Sequence, residues 1–112
     1  MTGTFRDSQS GDSYQFRRNG SYTFTSGRSG RATGNLSHSG TWKLLSSWEG
    51  EGHAEGGTVQ LKATRRVVLR GGRQRVLRAS RTFRLAMKFP FENGVIGIDS
   101  VWFYAPDYKP NS

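Results

Sequence analysis

The tightest constraint on this chain is a pair of aromatic doublets flanking an Asn-Gly: Tyr14-Gln15-Phe16 and Tyr22-Thr23-Phe24, with Asn19-Gly20 between them. Apolar rings alternate with polar residues, the period of a strand with one face buried. A two-residue Asn19-Gly20 loop would set Arg17 opposite Tyr22 and send the rings of the two strands to opposite faces. A three-residue loop with Gly20 left-handed instead pairs Phe16 with Tyr22 and Tyr14 with Phe24, so that all four rings share one face. The second arrangement is the one that can build a core, and it is the one expected.

The same period continues along the chain. A strand is expected from about Gly40 to Leu45, with Trp42 and Leu44 inward, and Ser46 to Gly57 reads as a loop. Two long strands follow. Val59, Leu61, Ala63, Val67 and Leu69 share a face of the first, and Leu77, Ala79, Phe83, Leu85, Met87 and Phe89 share a face of the second, joined by a turn at Gly71-Gly72. Phe91 to Gly94 forms another turn, and Val95 to Ile98 and Val101 to Tyr104 complete the set. Hydrophobic residues are only 33% of the chain, but seven Phe, four Tyr and three Trp bury much area each. The expected fold class is therefore all-β: an antiparallel up-and-down meander of about seven or eight strands closed into a small barrel, since closure removes exposed edges. A two-sheet sandwich is the alternative. Length corresponds to one domain, 1–105, with 106–112 as a C-terminal tail.

The run from Tyr14 through Asn19-Gly20 to Phe24, followed by Gly40-Thr41-Trp42-Lys43-Leu44, resembles the bacterial lipocalin-like pattern of aromatic strand, Asx-Gly turn, aromatic strand and Gly-x-Trp strand. The resemblance covers roughly residues 12 to 45. It implies a calycin-type barrel and, by family habit, a small apolar or amphipathic ligand held inside it.

Charge is distributed unevenly. The chain carries a formal net charge of +9, and all of the excess lies between Gly57 and Phe91. That stretch holds ten cations and no carboxylate, whereas the remainder sets seven cations against all eight acids. Strand phase sorts these cations. Arg65 falls in phase with Leu61 and Ala63, and Arg81 with Phe83 and Leu85, so both are expected to point inward. If Leu69 pairs with Leu77, Arg65 lies opposite Arg81. Two guanidinium groups on an apolar face are costly unless a ligand anion or Asp and Glu carboxylates compensate them, or they sit in water at a barrel mouth. A ligand site is expected there, with Arg65 and Arg81 as polar anchors among Tyr14, Phe16, Tyr22, Phe24 and Trp42. The outward set, Arg66, Arg70, Arg78, Arg84 and Lys88, with Arg73 and Arg75 at the turn, suits the alternative partner, a nucleic acid or other polyanion.

Other chemistry is thinly represented. There are no cysteines, and His38 and His53 are the only histidines. Glu51, His53 and Glu55 alternate as divalent-metal ligands can, but a mobile acidic loop is the plainer reading, and no metal is expected. Neither a cofactor motif nor catalytic machinery is expected: Gly71-Gly72 lacks the following Lys-Ser/Thr of a phosphate-binding loop, and Ser39 beside His38 is adjacency only. Residues 1–11 lack a signal-like apolar run, and no apolar stretch approaches the length of a membrane helix, so a cytoplasmic location without a membrane span is expected.

Overall fold

The Asn19-Gly20 turn forms as the three-residue loop. Gly20 has φ +85°, Arg17 N–H donates to Ser21 O at 2.9 Å, and Phe16 and Tyr14 face Tyr22 and Phe24 across the hairpin. The structure, a computed structural model, describes residues 2–28, 30, 33–49, 55–89, 94–99, 101–106 and 108. Among the described residues nine strands occur: β1 (Gly3–Arg6), β2 (Ser13–Phe16), β3 (Ser21–Thr25), β4 (Asn35–Glu49), β5 (Glu55–Arg70), β6 (Arg73–Leu77), β7 (Arg81–Phe89), β8 (Val95–Ile98) and β9 (Val101–Tyr104).

They form one antiparallel sheet that curls until its ends meet. Hydrogen-bonded neighbours run β1-β2-β3-β4-β5-β7-β8-β9, and β9 returns to β1 through Arg6 and Tyr104. The result is a closed eight-stranded barrel with β6 as an extra strand, not a sandwich. Among the described residues no helix is long and apolar enough to cross a membrane.

Three features depart from the sequence expectation. β1 is an addition: a four-residue strand with a single inward ring, Phe5, carries almost no periodic signal, yet Phe5 lies opposite Tyr14. β4 is far longer than Gly40 to Leu45 and pairs along its length with β5, so much of the expected loop from Ser46 to Gly57 is strand. The second long strand is broken in two. β5 pairs with β6 through residues 66–70 and with β7 through residues 55–63, so β6 and β7 lie end to end along the same edge of β5. Leu69 therefore faces Gln74 rather than Leu77, and Arg81 faces Ala63 rather than Arg65.

The β4–β5 pairing contains a bulge that reorders the site. Ser39 pairs with Arg65 and Gly40 with Ala63, leaving Thr64 as an extra residue in β5. Before it Val59, Leu61 and Ala63 are buried; beyond it the inward phase passes to Arg66 and Val68. Gly40 is required at this point, because a Cβ there would collide with the Lys62 carbonyl oxygen on β5.

Large side chains pack together inside the barrel. Phe16, Tyr22, Leu61, Val59 and Met87 are the largest fully buried side chains, packed with Phe5, Tyr14, Leu85, Ile96, Ile98 and Phe103. Tyr14 stacks on Phe16 with centroids 5.7 Å apart and meets Phe103 edge-on at 5.6 Å. Trp42 stands edge-on to Phe16 at 5.9 Å and ties the first hairpin to β4 by donating its Nε1–H to Arg17 O at 3.0 Å. Leu44, expected inward, is exposed: it lies past Thr41, the last β4 residue that β3 covers.

Gly40→Ala should lower the unfolding free energy by about 2–3 kcal/mol, because backbone rather than a movable side chain occupies the space. Gly71→Ala, where φ is +57° and nothing lies within 4 Å, should cost only about 1 kcal/mol. Urea unfolding of the two variants measures both, and equal losses would contradict the bulge assignment.

Candidate functional site

Registered pairing aligns a row of side chains across the sheet. Tyr14 in β2, Phe24 in β3, His38 in β4, Arg66 in β5 and Leu77 in β6 are successive cross-strand partners and so share one face. The neighbouring row runs Phe16, Tyr22, Gly40, Ala63 and Arg81. Gly40 and Ala63 carry the smallest side chains of that row, and space opens beside His38 and Arg66.

That space is a half-open cavity of about 220 Å³ at one end of the barrel. Phe24, Val68 and Phe83 supply its apolar wall; Ser26, Thr33, Asn35 and Ser37 supply polar groups; and Arg66, Arg81 and His38 converge on it. None of the described lining residues is acidic. Arg81 is exposed at the mouth, its guanidinium carbon 5.1 Å from the centroid of the Phe83 ring, a cation–π contact. Arg66 lies deeper, and its Nε is buried with no hydrogen-bond partner. An unpaired charged donor in such a place is costly.

His38 is the centre of the cluster. Its ring is sandwiched between Phe24, at 4.6 Å and 29° between planes, and Phe83, at 4.8 Å and 21°. Its Nδ1 lies 2.7 Å from the Tyr22 hydroxyl. Burial, then the Arg66 and Arg81 charges, pushes the imidazole down to about 4, so it is neutral near pH 7. Burial and then the neighbouring Tyr14 raise the Tyr22 phenol above its usual range, so it keeps its proton. We assign the phenol as donor to Nδ1, the acceptor within its reach, which leaves Nε2–H as the ring's one donor. Together with the two guanidinium groups, the cavity therefore presents donors and positive charge. Both faces of the His38 ring are thus covered by aromatic rings, and its Nδ1 is engaged by the Tyr22 hydroxyl.

Of the residues expected at the site from sequence, Arg81 and Phe24 line the cavity, and Tyr22 supports it through His38. Tyr14 and Phe16 are buried in the core and Trp42 packs against it, none of them lining the cavity. Arg65 is the correction: it is exposed, because the Thr64 bulge turns the next residue inward, and Arg66, expected outward, takes its place. Arg70, Arg73, Arg75, Arg78, Arg84 and Lys88 are all exposed. His38 is the site residue that sequence reasoning missed. The available signal was its place two residues before Gly40, in phase with Trp42, on a strand opposite the Phe24 ribbon. Glu51 and His53 of the expected acidic loop lie outside the described residues, as do Phe91, Glu92 and Asn93 of the expected turn; no cluster of three or more metal-ligating side chains occurs among the described residues.

Compared with protein-family models, curated proteins and solved structures, the chain matches none.

The depressed His38 value has a consequence for stability. Between about 4 and 6.5 the unfolded chain binds a proton that the folded chain refuses, so this contribution is complete above pH 6.5 and is lost as pH falls towards 4. The slope reaches at most about 1.4 kcal/mol per pH unit, reduced by solvent at the open mouth. Urea unfolding at pH 7, 5.5 and 4.5 should show a smaller fall for His38→Gln than for the parent chain; parallel curves would show that His38 stays solvated.

Proposed function

We propose that this chain is a non-catalytic, lipocalin-like binding barrel whose mouth holds a small anionic or amphipathic ligand between Arg66 and Arg81. One observation carries the reading: the Arg66 Nε is a buried donor without a partner, in a cavity with a second guanidinium and no acidic residue among its described lining. An anion there would accept from Arg66, Arg81 and His38 Nε2–H, while Phe24, Val68 and Phe83 would cover an apolar portion of the same molecule. The volume of about 220 Å³ suits a head group and a short apolar part. The resemblance to the bacterial lipocalin-like pattern supports the same reading by fold analogy.

Inorganic phosphate and benzoate are suitable probes. Either should shift the NMR signals of His38 and raise the pH at which its ring titrates, because a bound anion offsets the two guanidinium charges. Arg66→Leu combined with Arg81→Leu should weaken binding by at least about tenfold while leaving the fold intact, and Arg65→Leu should leave binding unchanged. Equal binding by the double variant and the parent chain would sink the proposal.

A further inference from the structure

The phase change at Thr64 has an effect beyond the cavity. Past the bulge, the inward face of β5 carries Arg66, Val68 and Arg70, and their β6 partners on that face are Leu77, Arg75 and Arg73. Arg66 and Val68 line the cavity, whereas Arg70, Arg73 and Arg75 are exposed. The cationic face is thus continuous from the inside of the cavity to the tip of the β5–β6 ribbon. An inner pair and an outer patch form one track.

Two properties of the track point to a linear partner. Each successive cross-strand pair on this face carries a cation, first Arg66, then Arg75, then Arg70 with Arg73, at steps of about 6.8 Å along the strands, which spreads charge along a line instead of concentrating it on one ion. Arg70 and Arg73 are also directly opposed cross-strand partners, an arrangement of like charges that destabilises a hairpin unless an anion lies against it. The cavity end is different in kind: two fixed cations and a neutral histidine donor suit a phosphomonoester carrying about −1.5 to −2 charge better than a single carboxylate. The apolar residues on this face of the ribbon, Val68 and Leu77, are aliphatic, so the ribbon itself offers no ring on which bases could stack and no base discrimination.

We propose that the track binds a nucleic-acid strand by its phosphates, with a terminal phosphomonoester seated between Arg66 and Arg81. This rests on the proposed reading of the cavity as an anion site and adds the identity of the anion. Phosphate contacts of this type fix register without reading sequence.

The test uses fluorescence anisotropy with single-stranded oligothymidylate of about twelve nucleotides, long enough to cover several phosphates beyond its end, with and without a 5′- or 3′-phosphate. One phosphorylated form should bind at least about tenfold more tightly than the unphosphorylated strand, and Arg66→Leu with Arg81→Leu should erase the difference. Arg70→Ser with Arg73→Ser and Arg75→Ser should weaken binding of every strand. The same variant should reduce the slope of log affinity against log salt by about 2, since each neutralised phosphate accounts for about 0.7. Lys62→Ser with Arg84→Ser and Lys88→Ser removes the same charge from exposed β5 and β7 positions outside the track and should change the slope far less. Equal losses in the two triple variants, indifference to the terminal phosphate, or tighter binding of poly-glutamate than of an oligonucleotide of equal charge would each overturn the inference. The two readings fail separately. Small-anion binding that depends on Arg66 and Arg81 without strand binding removes only the nucleic-acid assignment, whereas strand binding with no response to phosphate or benzoate removes the cavity reading and the seated terminus with it.

Discussion

One extra residue in β5 governs the architecture of the site. Antiparallel pairing alternates side chains strictly between the two faces, so inserting Thr64 opposite Ser39 and Gly40 exchanges inside for outside along everything that follows. On the near side of the bulge β5 contributes Val59, Leu61 and Ala63 to a packed interior; on the far side it contributes Arg66 to a cavity. Gly40 allows the two backbones to approach closely enough for this to happen, since the Lys62 carbonyl oxygen occupies the place a Cβ would take. Core, cavity and basic track are consequences of that local irregularity.

The aromatic residues perform a graded task along the barrel. Tyr14, Phe16 and Tyr22 are committed to the interior, where stacked and edge-on pairs add about 0.5–1.5 kcal/mol each beyond their buried area. Phe24 and Phe83 stand at the boundary and grip the imidazole of His38 from both sides. The Tyr22 hydroxyl then links the interior to the mouth through His38 Nδ1. His38 is held by packing on both faces and by a hydrogen bond from the core, which fixes its ring next to solvent.

Much of the fold is legible in the sequence because turn chemistry and period two agree. Asn19-Gly20 selects a loop whose length decides the face of four rings, and the resulting register is the observed one. The all-β meander and its closure follow from the same alternation and from the need to remove edges. The site is less legible, for reasons that lie in particular residues. Arg65 and Arg66 are identical, and Val67, Val68 and Leu69 are all apolar. Either phase of β5 therefore buries aliphatic side chains and one arginine, and composition carries no mark of the bulge. The break between β6 and β7 is hidden similarly, because Leu77, Ala79 and Phe83 keep a period of two across Arg78-Ala79-Ser80, where the chain leaves one partner segment of β5 and joins the next. β1 is silent because a strand with a single inward ring has no period to detect.

The position of β6 outside the ring gives the molecule a division of labour. The hydrogen-bonded circuit of the barrel is complete through β5 and β7 without it, and the buried core cluster takes no side chain from it. Its residues, and the Gly71-Gly72 link before them, are thus released from the packing demands that restrict the other strands. Charge on such an appendage can be altered while the closed wall behind it stays intact, so the surface potential at this end of the molecule is separable from the packing that holds the fold.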